Sequence, residues 1–403
     1  MSDIKKVLVV GAGLSGCSIA RLLVDTGKYE VCIIEKSESI GGNCKDALDE
    51  NGNLVSKYGP HIFHTNNEEV LRFFYRFSNG LTNDFFHKVR AFLIENGCLE
   101  YITMPINLDS LKNLLRFKKV PNSIIYDIEN YLKSHYIGRT NFQSLKDCPD
   151  NVNLLYEILL ECIYEPYTLK QWGVASLQEL DNDIFNRVPI YLDKVDGYFR
   201  DNYQLYPDLG YSTLIKSIVK DIPIMFNMDF NTYIKTFEEE YKQFDKIIYT
   251  GSIDELFNYT YGKLPYRSVA FRYVYNEKCN SYYYANDSFV TNFPGKHFKY
   301  TRIANYKFLN KYLGYKDEEE CNKAPIVIEY PIEASLNNRS YPIRNTESLN
   351  LYNKYVSLSE KEFPNMKFLG RLGSFRYLDM DKAIEQSFEL YKQILTEDIL
   401  CRK

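Results

Sequence analysis

The sequence lacks the long apolar run that a membrane-spanning helix needs. Its apolar stretches, such as residues 7–10 and 158–160, fall far short of the roughly 20 residues that cross a bilayer. A secretory signal is also missing, because strand-like apolar residues begin at Ile4 with no basic region or small-residue cleavage site before them. We therefore expect no membrane span and a cytoplasmic location.

Patterns for metal ions, disulfides and nucleic acid are missing as well. The nine cysteines have no CxxC spacing, so free thiols are expected. The five histidines lack the pairing of a zinc site, since His61 and His64 have no Glu or Cys partner nearby. The net charge of −4, with lysines interspersed among acids, leaves no basic stripe for a phosphate backbone. We expect no metal and no nucleic-acid partner.

What is present is the composition of an ordinary globular protein. Hydrophobic residues make up 45% and charged residues 25% of the sequence. Its length of 403 residues is enough for two or three domains. Aromatic usage is uneven, with 36 tyrosines and 25 phenylalanines against a single tryptophan. Any one tyrosine is therefore weak evidence of function.

A glycine-rich turn near the start carries the first functional signal. Residues 5–10 predict a strand, residues 15–23 a helix and residues 31–35 a second strand. Between the first strand and the helix, Gly11, Gly13 and Gly16 fill the three positions of a dinucleotide-binding GxGxxG turn. The helix start at Leu14 and Ser15 would then present free N–H groups to a pyrophosphate.

The residues after the second strand favour FAD over NAD. Glu35 stands where an acid accepts hydrogen bonds from the adenosine ribose. Lys36 follows it, and Gly41, Gly42 and Asn43 supply a second glycine pair where backbone must pass close to a ligand. This Glu then Gly-Gly order is typical of flavoproteins of the glutathione-reductase-like type.

The remaining pattern predicts an α/β fold with three domains. The Rossmann-like FAD-binding domain would comprise residues 1–80, 205–265 and 365–403, with strands at 246–249 and 366–369 and a helix at 380–395. An inserted helical domain would span residues 108–190. An antiparallel or mixed β-sheet domain for the substrate would comprise residues 81–107, 191–204 and 266–364.

Ten short motifs in a fixed order resemble those of the bacterial UDP-galactopyranose mutases. The most specific is Tyr-Thr-Leu-Lys-Gln-Trp-Gly at residues 167–173, and Lys-Tyr-Gly-Pro-His-Ile-Phe-His-Thr at residues 57–65 is similar to the family's flavin-side histidine motif. The others lie at residues 187–189, 198–204, 247–254, 266–268, 300–303, 329–331, 370–372 and 377–380.

The resemblance implies an isomerase that uses reduced FAD without net redox. In that family the flavin N5 attacks the anomeric carbon and displaces the nucleoside diphosphate, the adduct opens to an iminium, and the sugar recloses through another hydroxyl. UDP-galactopyranose to UDP-galactofuranose, or a close analogue, would be the reaction, and cell-surface polysaccharide synthesis the destination. A homodimer and a cellular reductant such as NAD(P)H are further expectations.

The resemblance also implies roles for individual residues. Arg187, on a mobile loop at about residues 173–187, and Arg302 would stabilise the departing diphosphate, and His64 would lie beside the flavin. Substrate-binding residues would be Tyr164, Tyr167, Trp172, Tyr198, Asn202, Tyr341, Tyr377 and Asp379. Besides the glycine turn, Glu35, Lys36, Gly42 and Asn43, the cofactor would contact His61, Ile62, Gly370, Arg371, Asp379 and Met380.

The sequence departs from the family pattern beside several motifs. Pro166 replaces a glycine, Leu378 a tyrosine, and Ala304-Asn305-Tyr306 stands where Ile-Glu-His is usual. We expect these changes to cluster around the sugar and the diphosphate, which leaves UDP-N-acetylgalactosamine, UDP-arabinose or a deoxythymidine-diphosphate deoxysugar as competing donors.

Two other classes of protein share the expected fold. An amine oxidase would need an oxidisable-amine pocket and no diphosphate clamp, which Arg187 and Arg302 argue against. A binding protein like the GDP-dissociation inhibitors would lack an intact flavin site, whereas Gly41-Gly42 and Gly370-Arg371 are present here.

Overall fold

The computed structural model describes residues 4–78, 82–180, 189–275, 284–314, 318–335 and 338–400. The strands, in chain order, are β1 (Lys5–Val10), β2 (Tyr29–Ile34), β3 (Asp46–Leu48), β4 (Leu54–Ser56), β5 (Phe63–Thr65), β6 (Thr82–Asp84), β7 (Val89–Glu95), β8 (Cys98–Met104), β9 (Arg139–Thr140), β10 (Ile190–Tyr191), β11 (Tyr203–Pro207), β12 (Ile224–Met225), β13 (Lys246–Tyr249), β14 (Tyr266–Val274), β15 (Val290–Asn292), β16 (Arg302–Asn305), β17 (Ile326–Glu333), β18 (Tyr341–Pro342) and β19 (Met366–Phe368).

The α-helices are α1 (Leu14–Val24), α2 (Glu68–Ser78), α3 (Leu108–Phe117), α4 (Asn122–His135), α5 (Asp150–Leu159), α6 (Glu165–Trp172), α7 (Gly210–Ile218), α8 (Phe230–Thr236), α9 (Glu238–Tyr241), α10 (Ile253–Leu256), α11 (Tyr306–Leu313), α12 (Glu318–Cys321), α13 (Thr346–Glu362), α14 (Gly370–Gly373) and α15 (Met380–Leu400). A π-helical turn, Leu160–Tyr164, joins α5 to α6. Short 3₁₀ turns occur at Gly42–Cys44, Phe142–Leu145 and Leu177–Glu179.

A five-stranded parallel sheet in the order β12-β2-β1-β13-β19 forms the first layer. Its central strand is an apolar run whose residues Val7, Leu8 and Val9 are fully buried, as expected of a parallel sheet covered on both faces. Helix α1 lies against α15 beside this sheet. The predicted strands at 246–249 and 366–369 are confirmed as β13 and β19, and the Rossmann-like fold class is confirmed with them.

A seven-stranded mixed sheet in the order β18-β14-β17-β16-β15-β7-β8 forms the second layer. Neighbouring strands within this sheet run antiparallel, except β15 and β7, which run parallel to each other. Helices α3 to α6 follow β8 and bury leucines such as Leu111, Leu132 and Leu155 in the main core. A small antiparallel sheet, β5-β11-β6, completes the framework around the site.

The described residues contain no helix that is long and apolar enough to cross a membrane. In the same ranges no group of three or more His, Cys, Asp or Glu side chains could hold a metal ion. The seven cysteines within them are free thiols.

Candidate active site

A cavity of about 740 Å³ lies between α6, the mixed sheet and the N-terminus of α15. Helix α6 contributes Tyr167 and Trp172, strand β16 contributes Arg302, and Met380 begins α15. Because these elements come from distant parts of the chain, the cavity exists only in the complete fold. It is lined by four arginines and two aspartates, and guanidinium groups of this kind can bind an anionic ligand.

The glycine turn has the geometry of a phosphate cradle. Gly11 has φ +106°, and a Cβ there would lie 2.1 Å from Thr250 Oγ1, so another residue could not replace it without a rearrangement. A Cβ on Gly16 would lie 2.1 Å from the carbonyl oxygen of Gly11, which shows how closely α1 approaches the turn. Gly13 is the N-cap of α1 and has no side chain to accept the first N–H groups, which remain available to a phosphate.

Glu35 is fixed at the end of β2, facing this turn. Its Oε2 accepts a hydrogen bond from the Ala12 N–H at 2.7 Å, and its Oε1 accepts from the Ser37 N–H at 2.8 Å. Lys36, beside it, is exposed and pairs with Glu255 at 3.4 Å.

Two further glycine segments link the turn to residues that line the cavity. The backbones of Gly13 and Gly41 form a β-bridge, and a Cβ on Gly42 would lie 3.1 Å from the Gly13 Cα. On the other side, a Cβ on Gly370 would lie 3.0 Å from Ser15 Oγ. The next residues, Asn43 and Arg371, line the cavity. These glycines, together the glycine groove, pack around the start of α1 beside the cavity, and the residues present fit an extended dinucleotide such as FAD.

Arg302 places a guanidinium group of fixed orientation in the cavity wall. Its Nε and one Nη donate to Glu329 Oε2 at 2.8 and 2.7 Å, and the Glu329 side chain is 1% exposed. Burial alone would lower the pKa of Arg302, but the Glu329 carboxylate raises it well above the ordinary value, so the guanidinium stays charged. The side chain remains 27% exposed.

Aromatic rings and Arg371 form one wall of the cavity. The rings of Tyr341 and Tyr377 are stacked with centroids 5.4 Å apart, and Trp172 meets Tyr341 edge-on at 6.4 Å. The Arg371 guanidinium lies 4.7 Å from the Tyr377 centroid and donates to the carbonyl oxygens of Ser340 at 3.1 Å and Leu378 at 2.7 Å. Arg371 therefore holds together the two loops that carry these tyrosines.

Tyr164 and Tyr167 line another part of the cavity. Tyr164 ends the π-helical turn and stacks on Phe142 with centroids 4.3 Å apart. Burial raises the pKa of both phenols, so both remain protonated. Lys170 of the same helix is largely enclosed and donates to the carbonyl oxygens of Phe293, Gly295 and Phe298 at 2.5 to 3.1 Å, which ties α6 to the loop after β15.

The two histidines of the predicted flavin-side motif have different partners. His61 Nδ1 lies 2.8 Å from the Gly59 carbonyl oxygen and must therefore donate. Burial, together with Arg371, lowers the pKa of His61 to about 4, so its ring is neutral. His64 Nδ1 instead lies 2.8 Å from Asp201 Oδ2.

Most of the predicted site residues are brought together in the cavity. The lining includes Asn43, His61, Ile62, His64, Tyr164, Tyr167, Trp172, Tyr198, Arg302, Tyr341, Arg371, Tyr377, Asp379 and Met380. Gly11, Gly13, Leu14, Ser15, Gly16, Glu35, Lys36, Gly42 and Gly370 lie outside it, in or beside the glycine groove. Asn202 is exposed outside the cavity and its backbone N–H donates to Asn66 Oδ1 at 2.8 Å. Arg187 lies outside the described residues.

The departures from the family pattern are not where the sequence suggested. Pro166, Ala304, Asn305, Tyr306 and Leu378 are all buried, and none belongs to the described residues that line the cavity. Asn305 instead caps α11, accepting from the Phe308 N–H at 3.3 Å. The inference that these changes surround the ligand is wrong, because they fill the core behind the walls.

Several site residues were missed. Asp201 and Glu329 lie within the motifs at residues 198–204 and 329–331, but a motif does not show which of its side chains contact residues from other parts of the chain. Arg139 and Tyr191 enter the cavity through the two-stranded β9-β10 sheet. His87 has no motif around it, yet it lines the cavity, and burial lowers its pKa to about 3.

Fold and site together define a dinucleotide-binding α/β protein of the Rossmann-like class, with an arginine-rich cavity beside the dinucleotide groove. The NAD(P)-binding Rossmann-like domain family matches residues 9–77, and the UDP-galactopyranose mutase family matches residues 162–377. The chain belongs to the UDP-galactopyranose mutase family, whose named members are isomerases.

Individual relatives cover nearly the whole chain. A probable UDP-galactopyranose mutase of Klebsiella pneumoniae is 31% identical over 97% of this chain and 95% of its own length. The dTDP-fucopyranose mutase of Escherichia coli is 28% identical over 95% of this chain and 97% of its own. A crystal structure of a reduced UDP-galactopyranose mutase shares the fold, with a TM-score of 0.67 at 15% identity over 97% of this chain and 94% of that one.

Proposed function

We propose that this protein interconverts the pyranose and furanose forms of a nucleotide-linked sugar, with FAD as its cofactor in the reduced state. The observation that carries the proposal is the position of the glycine groove beside a cavity in which Arg302 is held against Glu329. One part can bind a dinucleotide, and the other can bind an anionic donor directly beside it. UDP-galactose is the leading donor, because the family as a whole carries that name.

The chain offers contacts for each part of FAD. The N–H groups at the start of α1 would bind the pyrophosphate, and Glu35 would bind the adenosine ribose. Arg371, His61 and the N-terminus of α15 would surround the ring system. When bound and reduced, FAD supplies a nucleophilic N5 for attack on the anomeric carbon.

Arg302 would stabilise the diphosphate as its bond to the sugar breaks. Its fixed charge is oriented before the donor arrives, so no reorganisation is needed when negative charge develops on the leaving oxygen. Arg187 would supply a second guanidinium. Tyr198, Tyr341 and Tyr377 would donate phenolic hydrogen bonds, while Asp379 borders the sugar.

Aromatic residues would orient the other groups of the donor. Trp172 would cover the sugar, and Tyr164 and Tyr167 would stack on the nucleobase. We also propose a homodimer and NAD(P)H as the source of reducing equivalents, as for the mutases that the sequence resembles.

A second donor is favoured by one observation. The E. coli relative is named for a deoxythymidine-diphosphate sugar, and the chain matches it over 97% of its length. dTDP-fucopyranose is therefore the alternative substrate.

The test is to supply several donors to the purified protein under reducing conditions. UDP-galactopyranose, UDP-N-acetylgalactosamine, UDP-arabinopyranose and dTDP-fucopyranose would be incubated separately with flavin-loaded protein and dithionite, and the products separated by chromatography. We expect a furanose product from UDP-galactopyranose, and the oxidised protein is the control. If a fully flavin-loaded and reduced protein converts none of the four, the proposed function is wrong.

A further inference from the structure

An imidazole and a carboxylate meet at the edge of the cavity through the pairing of two strands. His64 lies on β5, which pairs antiparallel with β11 so that His64 is opposite Gln204. Asp201 precedes β11 by two residues, and its Oδ2 lies 2.8 Å from His64 Nδ1. Both side chains line the cavity, with 14% of His64 and 26% of Asp201 exposed.

Further contacts fix both partners. The Asn66 amide donates to Asp201 Oδ1 at 2.6 Å, so the Asp201 carboxylate is held at both oxygens. Asn66 Oδ1 in turn accepts a hydrogen bond from the Asn202 backbone N–H at 2.8 Å. The Phe199 ring stacks on the imidazole with centroids 3.6 Å apart and planes 16° apart. The orientation of the His64 ring is therefore set before a ligand binds.

This arrangement determines which ring nitrogen carries the proton. An ionised carboxylate can only accept, so His64 Nδ1 must donate, and Nε2 is left to exchange protons with a ligand. His61 differs, because its partner is the uncharged Gly59 carbonyl and two arginines oppose its protonation.

We propose that Asp201 is a positioning residue that holds His64 with its proton on Nδ1, and that His64 Nε2 carries the proton exchanged between the sugar oxygens. The proposal rests on the proposed function, since only a ring-opening and ring-closing reaction needs this exchange. Nε2 first accepts the proton of the hydroxyl that will attack, so this O–H bond breaks as an Nε2–H bond forms. The Nε2–H bond then breaks as the ring opens, and an O–H bond forms at the former ring oxygen, which leaves His64 with its proton on Nδ1 as at the start. No proton is gained or lost overall.

The experiment compares Asp201→Ala, Asp201→Asn and wild type as flavin-loaded proteins. Asp221→Asn is the control, because Asp221 is another aspartate with a basic side-chain partner, Arg21, but lies outside the residues lining the cavity. Nitrogen-15 labelled histidine shows which ring nitrogen of His64 is protonated, and the signal is assigned by its loss in His64→Gln. Turnover of UDP-galactopyranose under reducing conditions gives kcat and KM separately.

We expect wild type to be protonated at Nδ1 and Asp201→Ala at Nε2. The kcat of Asp201→Ala should fall by about 100-fold or more, the range of general acid–base catalysis, with a much smaller change in KM. The amide side chain introduced by Asp201→Asn can still accept a hydrogen bond from His64 Nδ1. This variant should therefore keep the proton on Nδ1, and its kcat should fall less than that of Asp201→Ala. An unchanged tautomer or an unchanged kcat in Asp201→Ala would overturn the proposal. If wild type converts no donor, the proposed function and the proton role fail together, while the tautomer still tests the positioning role.

Discussion

Arg302 keeps its charge inside the protein because a buried carboxylate lies against it. A buried pair of this kind gives little net stability, since desolvation of both ions offsets their attraction. The ion pair instead orients Arg302, because Glu329 holds the guanidinium in place inside the cavity. Removal of Arg302 alone would leave the Glu329 charge buried without its partner, and this complicates any simple test of the arginine.

A double substitution separates folding from function at this position. Arg302→Met should lower the free energy of unfolding by about 3–5 kcal/mol, because an unpaired carboxylate remains buried. Adding Glu329→Gln should restore most of that stability, but not turnover, which we expect to stay about 100- to 1000-fold below wild type. Urea denaturation and turnover at equal flavin content provide the two measurements. Recovery of turnover in the double variant would remove Arg302 from the diphosphate role.

His61 should make the protein less stable in mild acid. Its pKa is lowered to about 4 by burial and by Arg371, compared with about 6.5 in an unfolded chain. Between these pH values the unfolded state binds more protons, so the free energy of unfolding falls as the pH falls, by up to about 1.4 kcal/mol per pH unit from this group.

The substitution His61→Asn isolates that contribution. Its side chain can still donate to the Gly59 carbonyl but cannot titrate, so the curve of unfolding free energy against pH should be flatter than in wild type between pH 6.5 and 4. His135→Asn, at an exposed position on α4, is the matched control and should leave the slope as it is. A slope unaffected by His61→Asn would contradict the neutral state assigned to His61.

The turn before α1 shows how backbone geometry can dictate a residue type within one element. Gly11 and Gly27 flank α1 at opposite ends, and both have positive φ angles, +106° and +67°. They differ in their surroundings, since a Cβ on Gly11 would strike Thr250, whereas a Cβ on Gly27 would have no atom within 4 Å. Substitutions at Gly11 and Gly27 can therefore be compared to separate the cost of backbone strain from the cost of a steric clash.

Alanine at these two positions should therefore have different effects. Gly27→Ala should cost about 1–2 kcal/mol from left-handed strain alone and keep its flavin. Gly11→Ala should lose most of its bound flavin, because the turn must shift away from Thr250 and would carry with it the N–H groups proposed to bind the phosphates. Flavin absorbance per chain and thermal unfolding measure both effects. Equal flavin content in the two variants would show that the turn does not bind the cofactor.

Elements with a strong local pattern could be predicted from the sequence, and elements defined by long-range contacts could not. Strands β1 and β13 are buried apolar runs, so their positions follow from hydrophobicity. Strand β12 has only two residues and exists because it pairs with β2. The π-helical turn that ends at Tyr164 lies within a continuous helical pattern, and nothing in the spacing of residues marks it.

The site is predictable only in part, because it is a property of the whole molecule. Trp172, Arg302 and Tyr377 were found by motifs, which are local, while their common cavity depends on the packing of α6, the mixed sheet and the C-terminal loop. The pairing of His64 with Asp201 depends on strand register, and that of Arg302 with Glu329 on adjacent strands. The substituted residues beside the motifs were misassigned for the same reason, since side-chain direction is fixed by the fold.

For the whole molecule, the proposed function requires that flavin reduction permits an isomerisation that consumes no electrons. Its most direct test is to reduce the flavin-loaded protein once, remove the reductant without admitting oxygen, add excess UDP-galactopyranose and count furanose molecules formed per flavin. We predict many turnovers per flavin, with the flavin still reduced at the end and no product from the oxidised protein. One product per flavin with concomitant flavin oxidation, or equal conversion by the oxidised protein, would contradict the account.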